Sequence, residues 1–85
     1  MARLFIGLGR DARIRPGDLV GAITGESGLA GRDIGAIEIA QRFSIVEVPE
    51  AAAGDVIAAL AQATIKGRRP VVRRDQGGDD RPRSS

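Results

Sequence analysis

Two phenylalanines and a skewed set of cations are the residues of this chain best suited to recognising a ligand. The sequence holds 13 Lys and Arg against 11 Asp and Glu, a formal charge of +2. Lys66 is its only lysine; the other cations are all arginine. Arginine keeps its charge in any environment, and its planar fork binds phosphate bidentately. Lys66, Arg68, Arg69, Arg73 and Arg74 follow one another with no acid between them. A second cluster, Arg10, Arg13 and Arg15, is diluted only by Asp11. Such patches are the electrostatic footprint of a polyanion binder. The same arginine skew also fits codon composition or adaptation to heat, so position carries more weight than the total.

Other chemistries are short of parts. The chain has no cysteine, which removes a disulfide framework, a thiolate nucleophile and an iron–sulfur cluster. It has no histidine either, so the usual zinc ligand and the usual general base at neutral pH are missing. Nothing clusters the acids into a catalytic or metal-binding group, and an enzyme is the least favoured reading. At 85 residues the chain is one domain. A domain near this size buries roughly 60–65% of the surface its unfolded chain exposes. A 42% hydrophobic and 28% charged composition is that of a soluble globular domain. Too few apolar residues precede Gly7 for a secretory leader. No run approaches the roughly 18 apolar residues of a membrane-spanning helix. These features point to a cytoplasmic protein, or a fragment of one, without a membrane partner.

The elements that must position these residues follow from periodicity. Residues 3–8 are a short apolar run ending in glycines and predict a buried strand. After a charged loop over 10–15, Pro16 and Asp18 open a helix carrying Leu19, Val20 and Ile23, with Gly25 and Gly28 closing it. Gly17 and Gly21 each weaken that helix by roughly 1 kcal/mol relative to Ala. Residues 34–39 and 43–48 read as strands joined at Gln41 and Arg42, hence an antiparallel hairpin. Pro49 and Glu50 open an alanine-rich helix reaching Ala63, with Val56, Ile57 and Leu60 as its stripe and Ala53 and Ala61 flanking. Residues 70–74 are a terminal strand, with Pro70 at its first residue or on an edge. Residues 75–85 have the composition of a flexible polar tail. The order β-α-β-β-α-β is α+β: a split βαβ fold, with a four-stranded antiparallel sheet and two helices on one face.

That fold leaves the other sheet face open. Alternation puts Leu4, Ile6 and Leu8 under the helices and turns Phe5 outward. In the third strand Ser44, Val46 and Val48 form one set, and Phe43, Ile45 and Glu47 the other. First and third strands are neighbours in this topology, so Phe5 and Phe43 meet on the open face. Aromatics there stack nucleobases for about 1–3 kcal/mol per base. The alternative is that both rings fill the core.

Leu4-Phe5-Ile6-Gly7-Leu8-Gly9 is similar to the RNP2 strand of an RNA recognition motif (RRM). Arg42-Phe43-Ser44-Ile45-Val46-Glu47-Val48 resembles a degenerate RNP1, with Ile45 in place of the second stacking aromatic and Arg42 in place of the glycine. A narrower resemblance spans residues 3–74. Gly7-Leu8-Gly9-Arg10-Asp11, Pro16 to Ile23, Asp33 to Ile39 and Ile65-Lys66-Gly67-Arg68 together resemble the DbpA-type RNA-binding domain of bacterial DEAD-box RNA helicases. Within that group the arginine-rich composition is similar to the heat-resistant RNA-dependent ATPases.

The resemblance implies an RRM-like fold over 3–74 and a role in ribosome biogenesis. Such a domain anchors an ATP-dependent helicase to structured RNA, often ribosomal RNA. It also implies the partners: single-stranded RNA segments beside hairpins, and the helicase core of a parent chain. This sequence contains neither G-x-x-x-x-G-K-[ST] nor Asp-Glu-Ala-Asp. No ATPase is therefore expected in it, and ATP and magnesium are expected only in the helicase core. Phe5, Phe43 and Ile45 would meet unpaired bases. Arg10, Arg13, Arg15, Lys66, Arg68, Arg69, Arg73 and Arg74 would contact phosphates, and Arg81 and Arg83 in the tail would add sequence-independent affinity. Two other readings share the element order. One is an RRM-like protein-interaction module using an aliphatic patch of Ile45 and Val71; the other is an ACT-type domain that binds amino acids.

Overall fold

The computed structural model describes residues 1–75. Alternation turns Ala2–Ile6 into the first strand, β1, with Ala2, Leu4 and Ile6 in the core and Arg3 and Phe5 on the other face. The strand stops two residues short of the expected end because the chain bends at Gly7, although Leu8 is still buried in the core. Gly9 then passes hard against the turn between the next two strands. A Cβ there would lie 2.3 Å from the Ala40 carbonyl oxygen, so only glycine fits.

Helix α1 spans Pro16–Ser27. Proline suits its first position because no helical N–H is lost there. The Arg15 N–H donates to the Asp18 carboxylate at 2.9 Å. The helix runs through Gly25 and ends at Gly28, which takes the left-handed conformation at φ 77°. Leu19 and Ile23 are its buried residues.

Strand β2 is Ile37–Ile39, shorter than the apolar run 34–39 suggests. Gly35 donates to the Glu47 carbonyl at 2.8 Å, and Glu47 donates to the Ala36 carbonyl at 3.0 Å. Two residues thus face one, as in a β-bulge, and regular pairing starts only at Ile37. Strand β3 is Ser44–Val48, and the expected hairpin forms with Ile37 opposite Val46 and Ile39 opposite Ser44. A single 3₁₀ turn over Glu50–Ala52 precedes helix α2, Ala53–Ala61. Ala53, Val56 and Leu60 are buried, but Ala61 is exposed and does not flank the stripe. Strand β4 is Val72–Arg74. Pro70 is buried and precedes it, clear of the ladder.

The sheet is antiparallel in the order β2-β3-β1-β4, with α1 and α2 packed together over one face, as the split βαβ reading requires. Leu4, Ile6, Leu19, Ile23, Val46, Val48, Val56 and Leu60 are fully buried between the layers. Ser44 is the one buried polar side chain among the described residues, and its hydroxyl donates to the Leu8 carbonyl at 2.7 Å. Register also fixes the loops. Ile6 lies opposite both Ser44 and Val72, so segments 7–15, 40–43 and 62–71 gather at one end of the sheet. No helix among the described residues is long and apolar enough to cross a membrane.

Candidate nucleic-acid interface

Phe5 is flanked in the ladder by Ile45 on β3 and Arg73 on β4. Phe43 stands two residues before Ile45, diagonal to Phe5 on the same face, a distance that aromatic side chains bridge. The two rings stack with centroids 5.4 Å apart and planes 19° from parallel. From the other side, the Arg73 guanidinium carbon sits 4.3 Å from the Phe5 ring centroid. Both phenylalanines are therefore outside the aliphatic core. Phe43 is 38% exposed and Phe5 half-buried.

Ile45 shares this face but is largely covered. It is only 6% exposed and has little surface to offer a base. The aliphatic patch of Ile45 and Val71 is reduced accordingly to Val71, which is 63% exposed.

The same face also carries charged groups that the expected site does not include. Arg3, Glu38 and Asp75 join Phe5, Phe43, Ile45 and Arg73 around a shallow cleft of about 500 Å³. Arg3 pairs with Asp75 at 3.5 Å. Glu47 shares this face, so Arg3 and Arg73 are opposed by Glu38, Glu47 and Asp75. The parity that turns Phe5 outward also turns Arg3 outward, and Glu38 follows once it is paired with Ile45. The open sheet is a mixed-charge surface rather than a cationic one.

The cations gather elsewhere. Arg13 from the loop after β1 meets Lys66 and Arg68 from the loop before β4 around a cleft of about 330 Å³, with Asp11 beside them. Two clusters distant in sequence thus form one. Arg13 and Lys66 have φ of 63° and 54°, the only positive values at non-glycine residues among those described. Each such residue is strained by roughly 1–2 kcal/mol. Arg10, Arg13 and Arg15 line an adjoining hollow with Ile14. The Arg10 guanidinium donates to the Ile39 carbonyl at 3.3 Å. Arg69 is exposed in the same loop as Arg68. Gln41 donates to the Asp11 carboxylate, and Arg42 lies 3.9 Å from it. Lys66 lies 3.7 Å from Asp18. These partly exposed pairs are each worth at most about 1 kcal/mol and leave the cations available.

Arg74 departs from the group. It has the parity of Val72, turns toward the helix side, and donates to Glu50 at 2.6 Å. The run from Lys66 to Arg74 is therefore divided: Lys66, Arg68 and Arg69 on the loop end, Arg73 on the sheet face, and Arg74 behind it. Arg81 and Arg83 lie outside the described residues. No group of three or more His, Cys, Asp or Glu among the described residues is placed to hold a metal ion.

A β2-β3-β1-β4 sheet backed by two helices, with its aromatics on the uncovered face, defines an RRM-like α+β domain. More narrowly, the chain belongs to the DbpA RNA binding domain family, whose model matches residues 3–74. It is similar to the ATP-dependent RNA helicase DbpA of Escherichia coli (strain K12), 43% identical over 68 residues that make up 80% of this chain and 15% of that protein. It is also similar to the ATP-dependent RNA helicase DeaD of Mycobacterium tuberculosis, 40% identical over 62 residues, 73% of this chain and 11% of that protein. The chain thus spans a small part of each relative's length. The finer likeness to the heat-resistant RNA-dependent ATPases is carried by none of these matches.

Proposed function

We propose that this chain is the RNA-binding domain of an ATP-dependent DEAD-box RNA helicase and anchors the helicase core to structured RNA, ribosomal RNA in the first instance. One observation carries the reading beyond family membership. The cations of three separate loops, Arg10, Arg13, Arg15, Arg42, Lys66, Arg68 and Arg69, share one end of the sheet with only Asp11 and Asp18 to oppose them. Phe43 adjoins that same end. A hairpin's phosphates fit the loop end, and an unpaired flanking nucleotide fits the aromatic face beside it. ATP and magnesium belong to the helicase core, and the setting is cytoplasmic.

Titration with hairpin RNAs, with and without single-stranded flanks, across a salt series tests this. Log affinity should fall linearly with log salt, with a slope of about 0.7–0.9 per phosphate contacted. Flanked hairpins should bind more tightly than blunt ones. A flat salt dependence would overturn the electrostatic anchor, and no preference for a flank would remove the single-stranded contact.

A further inference from the structure

The ring of Phe5 is engaged from both sides. Phe43 stacks on it from the β3 side at 5.4 Å, and Arg73 lies over it from the β4 side at 4.3 Å. A base cannot enter between the two rings without breaking their stack, and it cannot reach the other side without displacing the guanidinium. Arg73 is exposed, while Phe5 is half-buried. Arg73 makes none of the ion pairs found among the described residues. Phe5 is its partner on the ladder, and the Phe5 ring is the group its guanidinium lies over. Guanidinium planes stack on splayed bases as aromatic rings do.

Resting on the RNA-binding reading above, we propose that Arg73 is the surface on which an unpaired RNA base stacks, and that Phe5 is its positioning residue. The row runs base, Arg73 on β4, Phe5 on β1, then Phe43 just before β3. Phe5 acts through Arg73, and Arg73 contributes a plane as well as a charge.

Arg73→Lys separates plane from charge, and at this exposed position it does not threaten the fold. Its affinity for a hairpin with an unpaired flank should drop about fivefold or more, the range of one lost stacking contact. The slope of log affinity against log salt should stay at the wild-type value, and binding to a blunt hairpin should be unchanged. Phe5→Leu keeps an apolar side chain and should show the same flank-specific loss. The double variant should be no worse than the weaker-binding single one. By NMR, the Phe5 ring current on the Arg73 side-chain N–H should persist in the complex.

Three results would each overturn the proposal. Arg73→Lys could bind like the wild type. The two losses could add, which would make Phe5 itself the platform. The ring-current shift could vanish on binding, showing that the base has displaced the guanidinium. Each leaves wild-type binding and its salt dependence intact, whereas failure of the RNA-binding reading removes those as well.

Discussion

Ser44 and Leu8 are joined by a hydrogen bond inside the apolar layer, the serine hydroxyl donating to the leucine carbonyl at 2.7 Å. This bond ties the β3 start to the loop that carries Arg10 and Arg13. Ser44→Ala leaves the buried carbonyl without that donor, and should destabilise the domain by about 1–3 kcal/mol. Urea unfolding followed by circular dichroism measures it; a midpoint equal to the wild type would mean that the carbonyl finds another donor.

The glycines fall into two groups with opposite expected signs. Gly9→Ala places a Cβ 2.3 Å from the Ala40 carbonyl oxygen and 2.6 Å from the Phe43 nitrogen, so the backbone must shift and stability must fall. Gly21, in the middle of α1, would have nothing within 4 Å of an added Cβ. Gly21→Ala should raise stability by about 0.5–1 kcal/mol through helix propensity. Thermal melts of the two variants should move in opposite directions from the wild type.

Lys66 couples strain to binding. Lys66→Gly relieves a left-handed residue of roughly 1–2 kcal/mol, offset in part by the greater freedom of glycine in the unfolded chain. It also deletes a cation from the loop cleft. The melting temperature should hold or rise while RNA affinity falls and the salt slope shrinks. A parallel fall in both would show that the lysine is structural.

Arg68 and Arg74 test the division of the basic run. Arg68→Ala should weaken RNA binding and lower the salt slope by about 0.7–0.9, the value of one phosphate contact. Arg74→Ala should leave the slope at its wild-type value, because that guanidinium is turned to Glu50 on the far side of the sheet. Equal slopes for the two variants would place Arg74 among the phosphate contacts after all.

Much of this arrangement is legible in the sequence, and for one reason. Alternation sorts Leu4, Ile6, Val46 and Val48 from Phe5 and Phe43 without any knowledge of neighbours, and the element order then fixes which strands adjoin. Parity gives a face but not a depth. It cannot show that Ile45, though turned outward, is almost fully buried. It also cannot show that Arg74 finds Glu50, since that contact depends on where the 3₁₀ turn after β3 comes to lie. The meeting of Arg13 with Lys66 and Arg68 is a property of loop paths, which carry no period to read. Arg3 shares the parity of Phe5, and Glu38 lies opposite Ile45, so alternation places both on the open face once the β2 register is fixed.

The direction of β1 and β4 has a consequence for how the domain meets a polyanion. Both strands have their outer ends at the side opposite the cationic loops, where Asp75 donates its N–H to the Arg3 carbonyl at 2.8 Å. Residues 1–3 and Asp75 are therefore together, set back from the cations by about the length of a five-residue strand, roughly 15 Å. Both attachment points, Arg3 and Asp75, thus share the end of the sheet away from the cationic loops.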